Sequence, residues 1–150
     1  MLSPRKAAPD FDVLSLIGEA PVCLAVFDRD MVYLAANTRW VATFGRGHHD
    51  LVGVRHEALY PDMPQHWRDA HRAGLAGEVR EATDDVWRDA QGRRIWFNWA
   101  VHPWRDRDGG VGGITIFAED VTERNEAQLR LRASEARYRG LFEENQSIML

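Results

Sequence analysis

At 150 residues, 45% hydrophobic and 28% charged, the chain has the size and balance of one globular domain able to bury a real core. The net charge of −4 argues against nucleic acid as a partner, since phosphate binding needs a basic face. One cysteine, Cys23, excludes a disulfide framework or a Cys/His zinc cluster and fits a reducing, cytoplasmic setting.

No stretch approaches the roughly 20 apolar residues of a membrane span, and "MLSPRKAAPD" lacks the apolar centre of a signal peptide. Direct membrane contact is not expected from this segment. Residues 1–9 read as a tail. Phe11, Leu14, Leu16 and Ile17 then form a short helical stripe, ended by Gly18 and Pro21. Val22 to Phe27 and Met31 to Ala35 are apolar runs joined by Asp28-Arg29-Asp30, which predicts a tight hairpin.

Asn37 has the chemistry of an N-cap, its side-chain oxygen able to accept a free amide of the next turn. The helix it starts, Thr38 to Phe44, sets Trp40 and Phe44 one turn apart on one face. Residues His48 to Asp62 are short and Gly/Pro-marked, so single turns are expected there. From Pro64 to Leu75 a helix returns, with Trp67, His71 and Leu75 along one face.

Val79 to Trp87, Arg93 to Trp104 and Val111 to Glu119 read as strands. The links between them carry turn chemistry, Asp108-Gly109 most clearly. Links of hairpin length imply antiparallel neighbours, and the helical insert between the two strand groups must cover one sheet face. From Val121 the pattern turns polar and helical. Ala127, Leu131, Ser134, Tyr138 and Leu141 follow steps of four and three, as in a coiled-coil seam.

The last stretch, "SEARYRGLFEENQSIML", reads as an amphipathic helix, a soft break at Glu144 to Ser147, and a strand start at Ile148 to Leu150. Laying Leu150 over Leu24 sets Ile148 over Val22 and Phe142 over Leu16. The end of the chain thereby reads as the opening of a second copy of its beginning.

Four stretches in order carry a resemblance: "AVFDRDMVYLAANTRWVATFG", "DLVGVRHEALYPD", "IWFNWAVHPWRDRDGGVGGITIFAEDVTER", which includes Asp120-Val121-Thr122, and "SEARYRGLFEEN". Together they resemble a PAS domain over about Asp10 to Arg124. The resemblance implies an α+β fold, a five-stranded antiparallel sheet with short helices on one face, followed by a C-terminal signalling helix. It divides the chain into a tail (1–9), a sensory domain (10–124), a linker helix (125–137) and a truncated second domain (138–150). It also implies a non-catalytic module that senses a ligand, cofactor or partner and biases its exit helix. The effector it implies first is a sensor histidine kinase, with a diguanylate cyclase as runner-up. A ligand-free dimerisation or spacer module is the competing class.

Period-two logic in Ile95 to Trp104 turns Phe97, Trp99 and Val101 inward, and Ile114, Ile116 and Ala118 do the same in the last strand. With His56 and His71 these are the pocket candidates. Trp96 and Trp104 fall on the opposite face and need cover, from an N-terminal helix or a second copy in a homodimer. Matching "GVRHEAL" to the flavin-adduct motif of light-sensing relatives puts His56 where the thiol belongs, which disfavours a cysteine adduct and leaves non-covalent flavin open. In haem-binding relatives a histidine of the long helix ligates iron, and His71 has that placement. The cofactor is thus open: none, flavin or haem.

His48, His49 and Asp50 lack further ligands at metal spacing and read as a solvated loop. No GxxxxGK, GxSxG or HExxH motif is present to suggest an enzyme. Asp120 and Thr122 are placed to cap the exit helix and carry the signal into it.

Overall fold

The structure is a computed structural model that describes residues 22–89 and 91–148. Its elements are β1 (Cys23–Asp28), β2 (Tyr33–Ala36), α1 (Thr38–Phe44), α2 (His56–Leu59), α3 (Gln65–Leu75), β3 (Arg80–Arg88), β4 (Arg94–Arg105), β5 (Val111–Asp120) and α4 (Thr122–Ile148). The strands form one antiparallel sheet in the order β2-β1-β5-β4-β3. Helices α1 to α3 cover one face, where Phe27, Tyr33, Trp40, Phe44, Phe97, Val101, Ile114 and Ile116 are buried. The apolar stripe between residues 11 and 17 lies outside the described residues.

Local chemistry explains most of these elements. The β1–β2 turn closes because Asp28 Oδ1 accepts the amides of Asp30 and Val32, at 2.8 and 3.0 Å. Asn37 does more than cap: its Oδ1 accepts the amides of Trp40 and of Leu24, while its Nδ2 donates to the Val22 carbonyl. One side chain therefore starts α1 and ties it to β1. Between β4 and β5, Asp106 Oδ1 accepts the amides of Asp108 and Gly110, and Gly109 takes φ +83.

Two features differ from the sequence reading. Helix α4 runs through residues 144–147 without a break and includes Ile148, because Glu, Gln and Ser sustain a helix already under way. Strand β3 is not regular. Its pairing jumps from Ala82↔Trp99 to Asp85↔Phe97, so one extra residue bulges out, with Asp84 at φ +55.

Candidate functional site

Beneath α1 to α3 lies a space of about 40 Å³, walled by Trp40, Phe44, His56, Tyr60, Trp67, Ala70, His71, Phe97, Trp99, Val101, Ile116 and Ala118. Seven of the sequence candidates meet there: His56, His71, Phe97, Trp99, Val101, Ile116 and Ala118. Ile114 is fully buried but lies beside the wall, where it meets α3 at Gly74; a β-carbon at Gly74 would sit 2.6 Å from Val101 and 2.8 Å from Ile114. Glycine at this position lets α3 approach the sheet.

The aromatic end of the space is held by a hydrogen-bonded core. The Trp40 indole donates to the Tyr33 hydroxyl at 3.1 Å, and that hydroxyl lies 2.8 Å from His56 Nδ1. The Tyr33 hydroxyl thus joins the Trp40 indole to the His56 ring in one buried chain. The His56 and His71 rings lie 5.5 Å apart between centroids, tilted by 58°. Burial pushes both imidazoles down, His56 to about 3 with further help from His71, and His71 to about 4, so both are neutral. Tyr33 and Tyr60 are pushed up by the same burial and stay protonated.

The opposite wall is organised by Asp85, which sequence reading missed. Its Oδ2 accepts the indoles of Trp67 and Trp99, each at 2.7 Å, and lies 2.8 Å from His66 Nε2. Burial raises this carboxyl, but the donors Trp99, Trp67 and His66 together hold it below the usual range. The only signal in the sequence was an Asp-Asp pair inside an otherwise strand-like run.

Space limits the cofactor. About 40 Å³ accommodates a few waters or one small molecule. An isoalloxazine or a porphyrin would require the aromatic walls to part. Cys23 is buried in β1, pairs with Ala118 across the sheet, and burial raises its thiol, so it offers no thiolate.

On the other sheet face, Trp104 lies across the backbone of Gly112 and Gly113 and donates to the Phe27 carbonyl at 2.8 Å. Its cover is its own sheet. Trp96 is half-buried beneath the Arg94 guanidinium, 5.3 Å from the ring, and among the described residues its indole N–H has no partner.

At the exit, Thr122 Oγ1 accepts the Trp96 amide at 2.9 Å, the Val121 amide donates to the Trp96 carbonyl, and Asp120 Oδ1 accepts the Thr122 amide. The start of α4 is therefore sewn to β4, the strand that also supplies Phe97, Trp99 and Val101 to the cavity wall.

An antiparallel sheet of this order, helices over one face and a helix leaving the last strand define a sensory domain of the PAS type. The chain belongs to that family: the model described as PAS fold matches residues 18–126. It is 32% identical over 106 residues to the biofilm dispersion protein BdlA of Pseudomonas aeruginosa, covering 65% of this chain and 24% of BdlA. The chain thus spans about a quarter of that relative.

Solved structures share the fold. A VqmA–ligand–DNA complex from Vibrio cholerae superposes with TM-score 0.60 at 20% identity, over 75% of this chain and 51% of that one. An RNA-binding light-oxygen-voltage receptor gives 0.62 at 23%, over 93% and 40%. A sensory box histidine kinase from Vibrio cholerae gives 0.52 at 17%, over 78% and 95%.

These neighbours overturn the exclusion of nucleic acid drawn from net charge. The fold occurs in chains whose complexes or names include DNA or RNA. Phosphate binding depends on a local basic face, in this domain or a neighbouring one, and a chain-wide sum of −4 does not report on it.

Proposed function

We propose that this domain binds a small uncharged molecule in the space between His56, His71 and the Trp67/Trp99 wall, and relays occupancy through α4. The observation that carries the reading is the double duty of β4, which lines the cavity and hydrogen-bonds the first turn of the exit helix. Neutral imidazoles and aromatic rings favour a ligand with an apolar body and one or two hydrogen-bonding groups.

The effector fitting this arrangement is a sensor histidine kinase in the same cytoplasmic chain, supported by the fold shared with the sensory box sensor histidine kinase from Vibrio cholerae. The exposed seam of Leu131, Tyr138 and Leu141 on α4 supports pairing with a second copy, as a homodimer. The sequence likeness of Phe142 and Ile148 to Leu16 and Val22 supports a second PAS domain downstream, entered by a continuous α4 without the break read at 144–147.

Mass spectrometry under non-denaturing conditions, on full-length protein isolated from its host, is expected to show this domain carrying a small neutral mass that denaturation releases. A chain that stays empty after exposure to host metabolite extract would favour a spacer module instead.

At the exit, Asp120→Ala removes one exposed acceptor. We expect it to leave the melting temperature within the shift of roughly 1 kcal/mol, while full-length protein loses the dependence of its output on ligand. Output that still follows ligand in this variant would remove Asp120 from the relay.

A further inference from the structure

We propose that the β3 bulge is a second coupling route from cavity to exit helix, in which Asp85 holds the cavity indoles and Asp84 holds α4. The proposal rests on the sensory reading above for its purpose, though not for its test.

The bulge sends two consecutive carboxylates in different directions. In a regular strand Asp84 would share the inward face with Ala82, and Asp85 would point outward. The extra residue reverses this: Asp85 pairs opposite Phe97 and turns in, where it takes the Trp67 and Trp99 indoles. Asp84 turns away, and its Oδ1 accepts from Asn125 Nδ2 at 2.8 Å. Asn125 is 7% exposed, and its amide closes the first turn of α4 on the Val121 carbonyl. A third bond fixes the bulge from β4, the Asn98 side chain accepting the Asp84 amide at 2.9 Å.

The consequence is mechanical. Trp67 and Trp99 are both cavity walls and Asp85 donors, so a molecule that rotates either indole removes a bond from Asp85. Asp85 is joined through one peptide unit to Asp84, whose backbone sits in the left-handed region that a non-glycine residue holds only under constraint. Relaxation of that constraint moves the acceptor of Asn125. The β4 route fixes the end of the sheet to Thr122, whereas the bulge route reaches the helix at Asn125, so together they can turn α4 as well as shift it.

The test is amide hydrogen exchange of residues 125–128 in the whole chain, without ligand, in a double-mutant cycle. Trp99→Phe keeps a ring in the wall but removes the N–H that Asp85 accepts. Asp84→Gly removes the carboxylate facing Asn125 and suits the positive φ. We expect Trp99→Phe alone to speed exchange at 125–128 by about fivefold, the scale of one hydrogen bond, and to have no added effect once Asp84→Gly is present. Trp67→Phe should reproduce the pattern from α3 and replaces Trp99→Phe should that variant fail to fold. An equal response in both backgrounds, or no response in either, overturns the proposal. Failure to find a natural ligand would leave this coupling measurable and count only against the sensory reading.

Discussion

Taking the chain from pH 7 to pH 5 is expected to remove roughly 4 kcal/mol of folding stability, most of it through His56 and His71. Burial, reinforced at His56 by the neighbouring His71, lowers the two from 6.5 to about 3 and about 4. In the unfolded chain both take up protons as pH falls through 6.5, while the folded protein keeps them neutral. The unfolded state therefore binds more protons throughout that interval, and stability falls with pH at about 1.4 kcal/mol per unit for each histidine. The loss begins near 6.5 and is complete only near 3. Asp85, held below the usual range, adds its own loss under more acid conditions, since its stabilisation disappears as pH falls through the folded value. Urea unfolding at pH 7, 6 and 5 measures the slope. His71→Leu should flatten it by about half, because one of the two titrating groups is gone. A midpoint that does not change between pH 7 and 5 would show that the imidazoles are solvated.

Gly113→Ala is expected to destabilise the domain by about 3 kcal/mol or more, enough to threaten folding. A β-carbon there would collide with the Phe27 carbonyl oxygen and come within 2.8 Å of the Trp104 indole nitrogen. The first obstacle is backbone of the neighbouring strand, paired through Asp28↔Gly113, so relief requires β1 and β5 to separate at the centre of the sheet. The second is the ring whose N–H satisfies Phe27, so the bond is lost with the packing. Gly140→Ala is the matched control. It lies in α4 with open space around the new methyl and should stabilise by up to about 1 kcal/mol through helix propensity. Urea midpoints of the three proteins decide the matter. A Gly113→Ala variant as stable as the parent would mean that β1 does not approach β5 as closely as the Asp28↔Gly113 pairing requires.

Much of this architecture was legible because its causes are local. Asn37 announces a cap by its chemistry, and α1 begins at the next residue. Asp108-Gly109 marks its hairpin, and alternation in β4 sorts Phe97 and Val101 from His102. Asp120 accepts the Thr122 amide at the helix start, as its place between strand and helix suggests, whereas the Thr122 hydroxyl, expected to cap the helix, accepts the Trp96 amide of β4 instead. What escaped depends on residues far apart in sequence. The jump in β3 shows only against β4, so Asp84 and Asp85 read as two more strand residues, and neither the indole donors 14 and 18 residues away nor Asn125 was in view. Trp104 was set on a surface needing an outside partner because side-chain alternation does not reveal that two glycines in β5 make a bed for the ring. The continuity of α4 through residues 144–147 was missed for the opposite reason: polar residues that open a turn in isolation merely extend a helix already formed.

Xenon at moderate pressure, followed by amide and methyl nuclear magnetic resonance of the 150-residue chain, tests most directly whether filling the space is felt at the exit. The atom is apolar and small enough for the space, and the residues read at the exit, Val121 to Asn125, lie apart from the exposed apolar seam at Leu131, Tyr138 and Leu141. We expect resonances of Val101, Ile116 and Ala118 to shift as the cavity fills, together with the amides of Val121, Thr122 and Asn125, all with one binding curve. Shifts confined to the cavity wall, with the first turn of α4 unmoved at saturation, would contradict the relay.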